Sequence, residues 1–435
     1  MGDGGRARGK LRLADAVGMA IGGMVGGGIF AVLGEAVLLS GNAAFISFGL
    51  AGVIALITGI SLSLLTINFG ERSGSLNFVR AAAGRKAEGI VSWFLIVGYI
   101  FTISLYAYTF GAYGGRLIGL DPSLNGLLGA IVIGFFVIIN FMGVRESGIS
   151  EDILVYTKVG ILILVSAVGF LVINEGEMLP VFEHGIGGAI AAASLIFVAY
   201  EGFELLAFDY EDIEDHRRNL PRAVMISVVA VTLIYMLVAF VTTATVSDSV
   251  IQEHSEIVLA YVAEPVLGRI GFVLVLVAAV FSTASAINAT LFSSGRLAKQ
   301  AASDNQLPKG LIARHMGGVP VYFVLFIAIC AMIIQLAGSL DLIASFSSLV
   351  FLAVFSVVNL SAYKHRQLDG WKLALPLLGF LACLGAIIFL CFTMFQSDPS
   401  SILLIGALAL AVIAFRAIFT RWHPSFRSEV DRNTH

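Results

Sequence analysis

Stretches of about 20 apolar residues, the length a helix needs to cross the hydrocarbon core of a bilayer, recur from Leu13 to residue 420 of this sequence. No other feature restricts the fold as much. In lipid every backbone N–H and C=O must find a partner within the protein, which leaves helices or closed barrels. The runs here are long and continuous, unlike the short alternating segments of a barrel. Of the 435 residues 58% are hydrophobic and only 13% charged, where a soluble domain carries about 25% charge. The chain reads as an all-α integral membrane protein.

The apolar runs predict twelve transmembrane helices, over 13–39, 43–69, 88–117, 123–143, 150–174, 185–208, 221–246, 268–298, 319–338, 340–363, 373–395 and 400–420. Several exceed the need of a perpendicular helix and imply tilt, unwinding or projection beyond the bilayer. The run after Arg12 is too long for a cleavable signal and lacks a small-residue cleavage pattern. With the N-terminus inside, 23 of the 26 Lys and Arg residues fall in inside segments, and only Arg116 and Arg269 fall outside. That bias supports cytoplasmic N- and C-termini and an even number of spans; the expected location is the plasma membrane. The remaining basic residue, Lys158, lies within the fifth span.

A net charge of −3 argues against a nucleic-acid partner. Cys330, Cys383 and Cys391 lie in predicted spans without metal-ligand spacing or a disulfide framework, so they read as packing residues. With no metal cluster, nucleophile–base pair or nucleotide loop in the sequence, neither an enzyme nor a cofactor is expected. GDGG at residues 2–5 reads as part of a tail.

No soluble domain interrupts the spans. The segment 247–267 predicts one or two amphipathic helices over the outer face, and 71–86 predicts an interfacial or re-entrant helix at the inner face. The first span itself carries IGGMVGGGIF (residues 21–30), five glycines in ten residues. Small residues in a membrane helix commonly serve close packing, but packing needs them on one face only, whereas three in succession strip bulk from every face. Unwinding is favoured, and an unwound turn at membrane depth must offer its N–H and C=O groups to a ligand, to water or to protein. N–H groups opening the second half-helix suit a carboxylate. The sixth span is broken at AYEGFE (199–204), where two carboxylates and a glycine stand inside an apolar run and carbonyls would be free for an ammonium group. Two broken helices five spans apart are what an inverted repeat of five plus five helices produces. The expected organisation is a tail over 1–12, repeats over 13–174 and 175–363, two appended helices within 364–420 and a tail over 421–435.

GMVGGGIF (23–30) resembles the helix 1 signature of the amino acid-polyamine-organocation superfamily, and FVAYEGFE (197–204) resembles its helix 6 signature. EDIEDHRRNLPRAV (211–224) is similar to the family's segment leading into helix 7, SSGRLAKQAASDNQLPKGLIAR (293–314) to its segment after helix 8, and NFMGVRESG (140–148) to its helix 4–5 connection. These matches run in order over about residues 13–320. The resemblance implies a LeuT-like fold of twelve helices holding an amino acid between the broken helices. Carried over by position, Gly26, Gly27 and Gly28 would take the substrate carboxylate. The carbonyls of Gly23, Met24, Phe197 and Tyr200 would take its amino group, Val198 stands where some members have a side-chain gate, and Glu201 and Gly202 complete the second break.

Lys158, in VYTKVGILILV, sits where an unpaired charge costs at least about 2.5 kcal/mol, so its presence points either to a role or to snorkelling toward the inner interface. In the resembling family a lysine here characterises sodium-independent members, and its implied neighbours are the Gly22 carbonyl and the Ser282 hydroxyl. It would then carry the coupling proton, with Glu204, often acidic in the family, as a second candidate. Glu201 departs from the family, where an apolar residue is common, and leaves open a cationic substrate, a polar one, or a bracing role. The polar face of the eighth span, Ser282, Thr283, Ser285, Asn288 and Thr290, is expected to line the interior. Tyr99, Tyr106, Tyr108 and Tyr113 read as packing or interface anchors. Asp209, Glu211, Asp212, Glu214 and Asp215, beside Arg217, Arg218 and Arg222, read as a solvated inner face, with a salt-bridge gate as the minority reading.

The expected function is secondary active transport of an amino acid, coupled to protons and working by alternating access. The alternatives are an amino acid or amine exchanger without net proton movement and, from another class, a substrate-sensing membrane receptor.

Overall fold

The computed structural model describes residues 11–69, 75–143, 148–173, 179–208, 210–364 and 371–422. The expected tails up to residue 10 and from 423, the stretch 144–147 and Asp209 lie outside the described residues. Nearly everything described is helical. The first expected span is two helices, α1 (Leu13–Met24) and α2 (Gly28–Ser40), parted at 25–27 within the glycine run. α3 (Ala44–Phe69), α4 (Ser75–Ile118), α5 (Asn125–Met142) and α6 (Gly148–Gly169) follow. The sixth expected span divides into α7 (Gly185–Leu195), a 3-10 helix over Ile196–Glu204 and the single turn α8 (Leu205–Phe208). α9 (His216–Thr245), α10 (Asp248–His254), α11 (Val258–Ser303), α12 (Val321–Ala337), α13 (Leu340–Lys364), α14 (Trp371–Ser397) and α15 (Pro399–Trp422) complete the chain.

Among the described residues, nine segments are long and apolar enough to cross a membrane, and α1, α12 and the 399–414 part of α15 are shorter apolar helices. The difference from twelve arises where helices are short, broken or run together: the single apolar segment Gly28–Ile67 takes in parts of the first two expected spans. Large apolar side chains stand exposed on the outward faces, among them Phe135, Leu233, Ile270, Ile333, Ile388 and Leu403. On a water-soluble protein such a surface would be an aggregation hazard, whereas lipid accepts it.

Two expected helix boundaries fall on glycines with non-helical backbone. Gly84, with φ 80°, parts the inner segment of α4 from its membrane span, and Gly268, with φ 58°, parts the outer segment of α11 from its own, so each long element is two helices meeting at a kink. Glycine reaches these positive φ angles without a Cβ clash. A two-stranded antiparallel hairpin, His315–Met316 with Val319–Pro320, was not anticipated. α4 packs against α5, α11, α12 and α13, and α3 packs against α9.

One end of the bundle is tied by polar contacts among its basic residues. Arg80 Nη1 stands 3.5 Å from Asp304 Oδ1, and Trp93 Nε1 donates to the Gln306 carbonyl at 3.1 Å. At the same end Leu11 lies beside Ile213 as a parallel bridge, with Leu11 N donating to the Asp212 carbonyl at 2.6 Å and Glu214 N donating to the Leu11 carbonyl at 2.8 Å. Asp212, Glu214, Asp215, Arg217, Arg218 and Arg222 are exposed there, as a solvated face requires. At the opposite end Tyr108 donates to Glu256 at 2.5 Å and Arg116 Nη2 to the Tyr261 hydroxyl at 3.3 Å.

Candidate functional site

A helix broken inside a membrane leaves backbone groups that must be satisfied. In the first break three carbonyls are served by side chains far along the chain. Tyr235 on α9 donates its hydroxyl to the Met24 carbonyl at 2.7 Å and lies 3.4 Å from the Ala199 carbonyl, touching both breaks. Ser282 on α11 is bonded to the Val25 carbonyl at 2.8 Å and, more closely, to that of Gly26. α2 begins at Gly28, so the first N–H groups of that helix have no acceptor within it.

The second break is nine residues of 3-10 helix, a tighter winding that keeps i to i+3 backbone bonds. At its start Ser348 of α13 is inserted into the ladder: its Oγ accepts from Val198 N at 2.9 Å and donates to the Leu195 carbonyl.

The two breaks cross in direct contact. A Cβ on Gly202 would collide with the Gly23 carbonyl carbon and the Met24 nitrogen, and one on Gly28 would stand 2.6 Å from Ala199 Cα. Only glycine permits backbones to approach so closely. Gly27 is held by the Tyr106 ring, whose Cδ1 would be 2.5 Å from an added Cβ.

Beside this crossing, on the side of the basic end, lies a cavity that opens to the surface. Met19, Gly22, Gly23 and Gly26 of the first broken helix line it, with Glu201, Gly202 and Glu204 of the second. Tyr99 and Tyr106 come from α4, Val155 and Lys158 from α6, Ser285, Ala286, Ala289, Thr290 and Ser293 from α11, and Phe351 from α13. Lys158 is 4% exposed and donates from Nζ to Ser285 Oγ at 2.6 Å. Glu204 is 2% exposed; Glu201 is partly exposed, and its Oε2 accepts from Thr102 Oγ1 at 3.3 Å.

The residues singled out in the sequence thus divide. Gly22, Gly23, Gly26, Glu201, Gly202, Lys158 and Glu204 share one cavity. Met24, Gly27 and Gly28 stand behind it: the Met24 carbonyl accepts from Tyr235, and the two glycines pack against Tyr106 and Ala199. Phe197, Val198 and Tyr200 are buried, Phe197 against Phe355 with ring centroids 5.9 Å apart and Tyr200 donating its hydroxyl to the Phe48 carbonyl at 2.8 Å. Val198 meets Ser348 through its backbone. Lys158 is bonded to Ser285, one turn beyond Ser282, and the Ser282 hydroxyl meets the carbonyls of the first break. On the remaining polar face of α11, Thr290 lines the cavity, Asn288 accepts from Asn140 at 2.8 Å, and Thr283 bonds back to the Ala279 carbonyl at 2.7 Å. Tyr99 and Tyr106, read as packing, are cavity wall; Tyr113 is a packing residue, its hydroxyl bonded to the Phe30 carbonyl at 3.4 Å. Met19, Ser293, Phe351 and Tyr235 had no local signal. Among the described residues no group of three or more His, Cys, Asp or Glu side chains could hold a metal.

The family model described as amino acid permease matches residues 11–415. Among similar proteins, the inner membrane transport protein YbaT of Escherichia coli (strain K12) is 28% identical over 94% of this chain and 96% of its own length. The branched-chain amino acid permease BcaP of Bacillus subtilis (strain 168) is 25% identical over 52% of this chain and 53% of its own. The chloroplastic cationic amino acid transporter 7 of Arabidopsis thaliana is 22% identical over 96% and 76%.

Proposed function

This chain belongs to the amino acid permease family, a family of membrane transporters rather than enzymes, and from that premise we propose that it is a proton-coupled secondary active amino acid transporter. It crosses the plasma membrane twelve times, with the basic end and both termini inside, as five helices repeated in inverted orientation plus two appended helices. Nine long apolar segments and three shorter apolar helices support that count. The cavity beside the two breaks then faces the inside, while the close backbone contact of Gly28 with Ala199 closes the path from outside.

The substrate's carboxylate meets the N–H groups at Gly26, which lines the cavity, and at Gly27 and Gly28 just behind it, where α2 opens and the partial positive charge of a helix start favours an anion. Its amino group meets carbonyls of the two breaks. Alternating access exchanges which side reaches this site, and Lys158 carries the proton. The observation that carries this reading is the Lys158 Nζ to Ser285 Oγ bond of 2.6 Å at the cavity wall. An ammonium bridging α6 and α11 beside the first break is positioned to sense both substrate and helix movement, and losing its proton loosens that bridge. Glu204, buried on the same cavity, is the second proton candidate.

The relatives' names point to different substrates, branched-chain for one and cationic for another, so they do not choose one here. The test is uptake into proteoliposomes under an imposed pH gradient. The wild-type chain should accumulate an amino acid only when the gradient is inward, and Lys158→Ala should abolish accumulation while the protein stays folded. Uptake by Lys158→Ala that still follows the gradient removes the lysine from this role; counterflow without any response to pH indicates an exchanger.

A further inference from the structure

The described lining of the cavity carries Lys158 from α6 and, from the second break, Glu201 and Glu204. Lys158 is bonded to Ser285 on the α11 side. Glu201 stands on the other side, against α4. Its Oε2 accepts from the Thr102 hydroxyl at 3.3 Å, Tyr106 reaches it as well, and Thr102 is backed by Ser347 of α13 at 3.1 Å. Two oxygens of a carboxylate can accept about four hydrogen bonds, so these hydroxyls orient the group without exhausting it or offsetting its charge. Among the described residues the charged group that acts on it is Glu204, itself acidic.

The wall around Glu201 is aromatic. Tyr99, Tyr106 and Phe351 line the same cavity, and the Tyr99 and Phe351 rings lie with centroids 6.2 Å apart. Ring faces attract cations, most strongly where water is excluded, and an apolar stem with a charged tip suits a wall that ends in a carboxylate. Glu201 also adjoins Gly202, where the two broken backbones touch. A substrate whose α-carboxylate and α-amino groups sit on the breaks therefore has only its side chain left to meet Glu201.

We propose that Glu201, with Tyr99, Tyr106 and Phe351, forms a side-chain subsite that selects dibasic amino acids, whose second cation pairs with the Glu201 carboxylate. This rests on the transport reading above and adds a substrate class to it. A carboxylate at membrane depth stays ionised at least cost when a cation pairs with it; a lysine-, ornithine- or arginine-like side chain supplies that partner to Glu201, and a leucine-like one does not. Thr102 is a positioning residue, holding the carboxylate toward the cavity.

The test uses the full-length chain in proteoliposomes with L-lysine, L-ornithine, L-arginine, L-leucine and L-threonine, each supplied labelled and as an unlabelled competitor. The dibasic three should be transported and should compete better than leucine and threonine by about 10- to 100-fold, the range of one charge-assisted bond. Glu201→Gln should erase most of that preference and Glu201→Asp should retain part of it. A brace between α7–α8 and α4 would lower uptake of all five equally and leave the preference intact. Transport of leucine or threonine in preference to the dibasic three by the wild type overturns the proposal without any variant, as does an unchanged ratio in Glu201→Gln. Transport of none of the five counts against amino acid transport itself.

Discussion

The two broken helices solve the same problem in opposite ways. Between α1 and α2 the chain gives up its winding over 25–27, three residues rich in glycine, and exposes carbonyls that Tyr235 and Ser282 must serve from other helices. Between α7 and α8 it rewinds into nine residues of 3-10 helix, so the backbone largely serves itself and the side chains Glu201 and Glu204 face the cavity. The first break offers backbone chemistry suited to what all amino acids share. The second offers side-chain chemistry suited to what distinguishes them.

Substitutions can break that contrast. The largest effect is expected at the crossing, where Gly202→Ala forces a methyl into the Gly23–Met24 backbone; that clash should cost at least about 3 kcal/mol and abolish uptake. A protein that melts normally and transports normally would show that the breaks separate without loss. Next comes Tyr235→Phe, which deprives the buried Met24 carbonyl of its donor at a cost of about 1–3 kcal/mol. It should lower the melting temperature and weaken binding of every amino acid alike. The smallest effect is expected from Ser348→Ala, at about 0.5–1.5 kcal/mol. Ser348 stands between Val198 N–H and the Leu195 carbonyl, a pair three residues apart that a 3-10 turn can join directly once the serine is gone. If Ser348→Ala proves costlier in thermal unfolding than Tyr235→Phe, the second break depends on outside support as much as the first does, and the contrast fails.

The positions of both breaks were legible because each leaves a local mark, three adjacent glycines in one case and carboxylates within an apolar run in the other. Lys158 was legible for the same reason. What supports the breaks was not: Tyr235 lies 211 residues from the carbonyl it serves and Ser282 lies 257 from one of its own. A tyrosine or serine in an apolar helix looks the same whether it faces lipid, packs, or caps a distant backbone. The second break also starts earlier than its signal, at Ile196, since Ile196, Phe197 and Val198 carry no glycine, proline or charge that would mark a break within an apolar run. Tyr99 and Tyr106 became cavity wall only once the bend at Gly84 and the packing of α4 against α11 and α13 were known.

The bridge at Leu11 ties these regions mechanically. Leu11 precedes α1 and Ile213 follows the second break, and two backbone hydrogen bonds rivet them at the basic end. A swing of α1 away from the bundle either pulls the 210–215 turn with it or snaps both bonds. The stub of one broken helix is thus yoked to the exit of the other, and a tug on the chain's leading end passes directly to the segment that follows Glu204.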